Sequence, residues 1–261
     1  MSPLPHPIRV RRVECYTRAV RPHGERRLFA TTRWSLVLAA GNQRPSPDAR
    51  EALTTLCEIY WYPLYAFLRG RGHSAADAED LIQAFFAQLL ERHGIRHADP
   101  TKGRFRSFLL KSLQNFAANV HARDTAAKRG GTASILSLEF ETAEGRFGLE
   151  PASDDSPEKE FDRRWAVTLL DRVMVRLAEN AGKSKGEQFA ALKPYLTGED
   201  PQLSYAATAS ALEISEAAVK VGVHRLRKKF RDLVRDEIAQ TVASPAEIED
   251  ELRHLWSAVR R

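Results

Sequence analysis

The sequence predicts an all-α protein of two helical domains joined by a flexible linker, with a helix-turn-helix in the C-terminal domain. Apolar residues recur at the three- and four-residue spacing of amphipathic helices in both halves of the chain. Serine or threonine precedes several of these repeats, where it can cap a helix N-terminus. A segment rich in glycine, serine and acidic residues separates the two halves.

The N-terminal half begins with a basic stretch and continues as helices. Arginines and prolines with few acids indicate that residues 1–30 are a disordered basic tail. Residues 31–125 are then expected to form one helical domain, in which Ser74 and Asp77 make a capping box and Pro63 kinks or divides a helix. The predicted helices are Thr31–Gly41, Asp48–Gly70, Ser74–His93 and Phe105–Arg123.

The remainder of the chain divides into three predicted segments. Residues 126–159 are a flexible linker, residues 160–240 form the helix-turn-helix domain, and residues 241–261 form a C-terminal helical extension. A two- or three-residue turn separates the two helices of the helix-turn-helix. The predicted helices are Glu158–Asn180, Phe189–Leu196, Leu203–Leu212, Ser215–Val234 and Ala246–Val259.

Several classes of protein are excluded by composition and motif. No apolar run approaches the roughly 18 residues that a membrane helix needs, so we expect no membrane partner. Cys15 and Cys57 lack CxxC spacing, and Gly94 interrupts the pair His93 and His97, so neither a disulfide framework, a metal site nor a cofactor is expected. The cysteine pattern fits a protein of the reducing cytoplasm. The sequence contains no catalytic motif of a hydrolase, a nucleotide-binding enzyme or a metalloprotease, so we expect a protein that is not an enzyme.

The helix that follows Ser215 has two contrasting sides. Val219, Val223, Leu226, Phe230 and Leu233 form one apolar stripe. The other side is cationic and carries Lys220, His224, Arg225, Arg227, Lys228, Lys229, Arg231 and Arg235. Such a helix fits the major groove of B-DNA, and the net charge of +6 suits a polyanionic partner. A solvated basic face on an ordinary amphipathic helix is the alternative.

This part of the chain resembles the second DNA-binding region of extracytoplasmic-function (ECF) sigma factors. The similarity lies in Leu203-Ser-Tyr205, Ala209, Ala211-Leu212, Ile214-Ser215, Val219-Lys220, His224-Arg225 and Arg227-Lys228. The resemblance implies a helix-turn-helix that reads the −35 promoter element as duplex. The residues that it assigns to this contact are Ser215, Glu216, Ala217, Lys220, His224, Arg225, Arg227 and Lys228.

This segment departs from the family pattern at Thr208, Glu213, Ala218, Val221 and Gly222, and two of these departures have consequences for the turn and for the DNA contact. Glu213 stands where the family usually has glycine, and a non-glycine residue at a left-handed turn costs roughly 1 kcal/mol. Gly222 stands where the family usually has arginine, so the promoter sequence read by the family is not transferred to this chain.

A second resemblance to the same family occurs upstream. The segment Asp77–Phe86 is similar to the DAEDLVQ-x-x-F signature of the first sigma region, which in the family docks on the clamp helices of the polymerase largest subunit. The resemblance assigns Asp77, Asp80, Gln83 and Phe86 to core-polymerase binding. A capped surface helix without a partner is the alternative.

A third similarity covers the helix that begins at Phe105. The segment Gly103–Leu109 and the residues that continue its helix resemble the part of the family that opens the −10 element. Cations along a backbone and amides beside an unstacked base can hold an opened strand. The assigned residues are Arg104, Lys111, Asn115, Asn119 and Arg123. Asparagines that satisfy loop carbonyls are the competing interpretation.

Together these resemblances predict a sigma factor that binds core RNA polymerase and promoter DNA and directs transcription initiation. An anti-sigma protein or another regulator is a further candidate partner. An operator-binding regulator and a helical interaction protein without a DNA role are the alternatives. The helix Ala246–Val259 lies outside the resemblance, and we expect it either to cover the helix-turn-helix or to contact a regulator.

Overall fold

The computed structural model describes residues 47–91, 104–124, 140–149, 155–182, 186–198, 203–242 and 244–260. These residues contain helices and no strand, which confirms the all-α prediction. The helices are α1 (Pro47–Gly70), α2 (Ala75–Glu91), α3 (Phe105–Asp124), α4 (Phe140–Leu149), α5 (Pro157–Ala181), α6 (Gly186–Leu192), α7 (Pro194–Thr197), α8 (Tyr205–Ala211), α9 (Glu216–Ala239), a 3-10 helix (Pro245–Glu247) and α10 (Ile248–Val259). None of the described helices is long and apolar enough to cross a membrane. The predicted tail and the predicted helix Thr31–Gly41 lie outside the described residues.

The chain forms two compact units. The middle unit contains Leu170–Asp236, and the N-terminal unit contains the described residues before Leu170 together with Glu237–Val259. Both boundaries therefore fall inside a helix, the first in α5 and the second in α9. These boundaries differ from the predicted 160–240 domain and its 241–261 extension, because the start of α5 and all of α10 belong to the N-terminal unit.

Helices α1, α2 and α3 pack their apolar faces together in the N-terminal unit. Tyr60 of α1 and Phe105 of α3 are fully buried, and their rings meet edge to face with centroids 5.3 Å apart. Phe85 of α2 lies 5.8 Å from the ring of Phe116 in α3. Edge-to-face aromatic pairs of this kind stabilise a core beyond the area that they bury. The helical periodicity of the sequence thus identified the inward faces of α2 and α3.

Two local features of the sequence have different outcomes. Ser74 caps α2, since its Oγ accepts the N–H of Asp77 at 3.1 Å and donates to the Asp77 carboxylate at 2.7 Å. Pro63, however, does not divide α1, which runs unbroken from Pro47 to Gly70. Pro63 is buried, as are its chain neighbours Tyr62 and Leu64. The free energy gained by this burial offsets the cost of losing the backbone hydrogen bond that a proline removes from a helix.

The predicted linker 126–159 is wrong at residues 140–149, which form α4 in the N-terminal unit. Tyr65 donates to Glu144 Oε2 at 2.6 Å, and Arg69 donates to the same carboxylate from Nε at 2.9 Å and from Nη2 at 2.7 Å. The Arg69 guanidinium also lies 5.1 Å from the Phe147 ring centroid. These contacts with α1 fix a segment whose glycines had indicated flexibility. Residues 126–139 and 150–154 lie outside the described residues.

Candidate nucleic-acid interface

A short turn joins α8 to α9, and at the N-terminus of each helix a serine hydroxyl accepts a hydrogen bond from a backbone N–H. Ser204 Oγ accepts the N–H of Ala207 at 3.0 Å, and Ser215 Oγ accepts the N–H of Ala218 at 3.2 Å. Both serines therefore act as N-caps, Ser204 for α8 and Ser215 for α9. The second helix therefore starts at a defined residue, with Glu216, Ala217 and Ala218 exposed to solvent.

The turn itself contains the left-handed residue that the sequence predicts. Glu213 has a φ of 53°, its N–H donates to Ser210 O at 3.3 Å, and the Ile214 N–H donates to Ala209 O at 3.0 Å. This pair of bonds is the Schellman arrangement, in which the left-handed position favours glycine. Ile214 packs against the core of the middle unit and so holds the turn closed despite the strain at Glu213.

The apolar side of α9 packs on α6, α7 and α8. Val219 and Val223 form a buried cluster with Leu192, Tyr195 and Ala209. A Cβ on Gly222 would lie 3.0 Å from Leu192 Cδ1, which is tighter than most Cβ contacts. Gly222 therefore lies toward α6, and a larger residue at this position would require the end of the Leu192 side chain to shift by a few tenths of an ångström.

The opposite side of α9 is exposed and cationic. The exposed lysines and arginines of this side are Lys220, Arg225, Lys228, Lys229, Arg231 and Arg235. His224 is exposed on the same side, and Ser215, Glu216 and Ala217 are exposed at the start of the helix. The Lys220 side chain is 57% exposed; its Nζ lies 3.6 Å from Glu216 Oε2 and 5.6 Å from the centroid of the Tyr205 ring. An exposed pair of this kind holds its charges weakly. Lys220 therefore stays accessible to another anion.

Arg227 has a different environment from the other predicted −35 residues. It is half-buried at the edge of the cationic face, and its Nη2 donates to the carbonyl oxygen of Tyr195 at 3.1 Å. The Tyr195 hydroxyl in turn shares a buried hydrogen bond with Thr208 Oγ1 at 2.9 Å. Arg227 thus ties α9 to α7, which is a packing contact that the sequence pattern did not reveal.

The predicted polymerase-binding residues of α2 fall into two groups. Asp77 and Asp80 are exposed, and Gln83 is half-buried and donates to Glu79 at 3.1 Å. Phe86 is only 1% exposed, with its ring 5.4 Å from that of Phe85. The prediction of Phe86 as a surface contact is corrected, because its side chain belongs to the core that α2 shares with its neighbours.

The predicted −10 residues of α3 are also divided. Lys111, Asn115 and Asn119 are exposed and recur every four residues, so they share one open side of the helix. Arg123 lies in α3, but its side chain lies outside what the structure describes. Arg104 is 29% exposed, and its Nε lies 2.9 Å from Glu251 Oε2. It therefore differs from the open group in carrying a carboxylate partner.

Glu251 belongs to α10 and also pairs with Arg106. Arg106 is 5% exposed, Glu251 is 1% exposed, and Arg106 Nε donates to Asp162 Oδ1 at 3.1 Å. The guanidinium lies 4.9 Å from the centroid of the Trp165 ring. Burial raises the pKa of Asp162, but His254 and Arg106 lower it by a larger amount, so the pKa lies below its usual range. His254 Nε2 lies 3.0 Å from Asp162 Oδ2.

This buried ion network was missed from the sequence, and it replaces the expectation that the C-terminal helix covers the helix-turn-helix, while a regulator contact stays a prediction. Helix α10 packs within the N-terminal unit, with Glu251, Leu255 and Ala258 buried at four- and three-residue spacing. That spacing is a signal that could have identified a packed face. Among the described residues, no group of three or more histidine, cysteine, aspartate or glutamate side chains is arranged to hold a metal ion.

A family model described as sigma-70 region 2 matches residues 60–126, which include part of α1 and all of α2 and α3. No curated protein and no solved structure matches the chain. The matched residues include the exposed sides of α2 and α3 described above. The match supports a sigma factor of the sigma-70 family, a class of transcription initiation factor that binds core RNA polymerase and promoter DNA.

Proposed function

We propose that this chain is an ECF-type sigma factor that binds core RNA polymerase and recognises the −10 and −35 promoter elements. The observation that carries the proposal is the exposed cationic side of α9, which follows a capped turn in a chain whose residues 60–126 match sigma-70 region 2. An ordinary operator-binding regulator would use the exposed basic side of α9, but it would not explain the match of residues 60–126 to sigma-70 region 2.

Helix α2 supplies the polymerase contact in this proposal. The accessible groups are the carboxylates of Asp77 and Asp80 and the partly exposed amide of Gln83. Charged groups at the rim of an interface steer association and fix its register. Phe86 contributes indirectly, because its burial sets the side of α2 that faces outward.

Helix α3 supplies the contact with the opened −10 strand. Lys111 offers a cation for a phosphate, and Asn115 and Asn119 offer amides that both donate and accept hydrogen bonds. Their common exposure on one side of α3 supports this role over satisfaction of loop carbonyls. Arg123 would extend the same row by one turn.

Helix α9 supplies the −35 contact, with the duplex read from the major groove. Its first turn, with Ser215, Glu216 and Ala217, would approach the base edges, and Lys220 and Arg225 would lie beside phosphates. His224 and Lys228 continue the same exposed side. The helix-turn-helix and the ECF subgroup are supported by the sequence of residues 203–228 together with the capped geometry of α8 and α9.

The polymerase performs the covalent chemistry in this mechanism, and the chain performs none. It acts in the cytoplasm, where core polymerase is found. An anti-sigma protein or another regulator remains a proposed partner, and an exposed α2 or α9 would be the natural surface for it to cover.

The proposal is tested by reconstituted transcription with purified core polymerase, this chain and a library of genomic fragments. The expected result is a set of start sites that share two upstream boxes and disappear when the chain is omitted. A chain carrying both Arg225→Ala and Lys228→Ala is expected to lose these transcripts while still co-purifying with core. Failure of the wild-type chain to bind core would instead favour an operator-binding regulator.

A further inference from the structure

The exposed side of α9 has an apolar centre. Val221 is 49% exposed and is the one large hydrophobic side chain classed as exposed within the described part of the chain. A β-branched residue is a weak helix former, and at this exposure it contributes little burial. Neither helix propensity nor packing therefore explains a valine at this position.

The neighbours of Val221 on the exposed side of α9 are two small apolar side chains and two basic ones. Ala217 and Ala218 lie one turn before it, and His224 and Arg225 lie one turn after it, at the three- and four-residue spacings that bring side chains together. All four are exposed. The two alanines keep the surface shallow, so a flat partner could approach the helix backbone closely.

The orientation of Val221 is fixed by the contact on the other side of the helix. The adjacent Gly222 lies against Leu192, and a Cβ there would be 3.0 Å from Leu192 Cδ1. Val219 and Val223 are buried on either side in sequence. Because α9 is anchored through these three residues, Val221 stays directed away from the core of the middle unit.

A DNA major groove offers one apolar group of matching size, the C5-methyl group of thymine. Phosphates flank the groove on both sides and would face cations such as Arg225 and Lys228. We propose that Val221 contacts a thymine methyl group in the upstream promoter element and so helps to set the sequence preference of this chain. This inference rests on the proposed function and adds a base-reading residue to it.

The test measures binding of the complex of core polymerase and full-length chain to a duplex that directs its transcription. Each thymine of the upstream element is replaced in turn by deoxyuridine, which removes only the methyl group. At one position we expect wild-type affinity to fall about fourfold, the factor that burial of one methyl group contributes. The Val221→Ala chain is expected to bind the thymine and deoxyuridine duplexes equally.

The controls separate failure of this inference from failure of the proposed function. Arg231→Ala, on the same exposed side, is expected to weaken binding while leaving the thymine preference intact. If the complex binds and no position distinguishes wild type from Val221→Ala, the thymine contact is overturned and the sigma-factor proposal stands. If no duplex is bound in the presence of core, both are overturned. Alanine is a better helix former than valine, so the Val221→Ala chain should melt at the wild-type temperature or slightly above it by circular dichroism, which verifies that it folds.

Discussion

The basic residues at the start of α3 and those along α9 lie in different surroundings. Arg104 and Arg106 pair with Glu251 of α10, and Arg106 is nearly inaccessible. The cations of α9 are exposed, and the pair between Lys220 and Glu216 is a loose surface contact at 3.6 Å. Buried pairs hold a fold together only while both partners are present, whereas exposed cations contribute little to stability. Arg106 and Arg104 therefore belong to the architecture of the N-terminal unit, whereas the exposed basic residues of α9 are available for the proposed contact with DNA.

The largest effect is expected from Glu251→Ala. Removal of this carboxylate leaves the buried guanidinium of Arg106 with Asp162 as its remaining described carboxylate partner, and breaking a buried pair costs on the order of 3 kcal/mol. The free energy of unfolding, measured in urea, gives this cost directly. Asp250→Ala is the matched control, because Asp250 precedes Glu251 in α10 and makes an exposed pair with Arg253. Similar losses for the two variants would contradict the assignment of the network to the architecture.

The double substitution Arg225→Ala and Lys228→Ala should act on binding and leave stability unchanged. Each lost phosphate contact lowers the slope of log affinity against log salt by about 0.9, so the slope should fall by about 1.8. Titration of promoter DNA at several salt concentrations measures this slope. Arg253→Ala removes an exposed cation from α10 and should leave the slope as it is. An unchanged slope in the double variant would remove α9 from the DNA interface.

A smaller effect is expected from Glu213→Gly. The φ of 53° at Glu213 is strained for a residue with a Cβ, so glycine should raise the free energy of unfolding by up to about 1 kcal/mol. Glu216→Gly tests the same substitution in the first turn of α9, where the residue is helical and glycine should be destabilising. Thermal melting of both variants distinguishes the positions. Destabilisation by Glu213→Gly would mean that its side chain makes a contact that outweighs the strain.

The smallest expected effect is a pH dependence that arises from Asp162. Its pKa is lower in the folded chain than the unfolded value of about 3.9, so its ionised form stabilises the fold above that value. This stabilisation is lost as the pH falls through the folded pKa. Asp162→Asn should therefore flatten the acid limb of a plot of stability against pH, relative to wild type and to Asp250→Asn. An acid limb of equal steepness in all three chains would contradict the cause given for the lowered pKa.

The local parts of this architecture could be predicted from the sequence. Helical spacing located α2, α3, α8 and the start of α9 to within a few residues, the capping box at Ser74 identified the start of α2, and the family pattern identified Glu213 as a left-handed position. These features depend on residues fewer than five positions apart. Their chemistry is therefore visible in a short window of sequence.

Long-range contacts explain what could not be predicted. Arg106 and Glu251 are 145 positions apart, and Tyr65 and Glu144 are 79 positions apart, so no window reveals either pair. Phe86 shows a different limit, because membership of a motif does not say whether a side chain is exposed. Its three-residue spacing from Leu89 and four-residue spacing from Ile82, both buried, was a signal for the core that the motif match overrode.

Footprinting of promoter DNA by the chain with and without core polymerase tests whether the chain recognises a promoter as part of the polymerase. We expect protection of an upstream duplex and reactivity of unpaired bases near the start site, both only when core is present. The chain with Arg225→Ala and Lys228→Ala should lose the upstream protection and keep its association with core. Protection of a two-fold symmetric site that is the same with and without core polymerase would contradict the sigma-factor role and favour an operator-binding regulator.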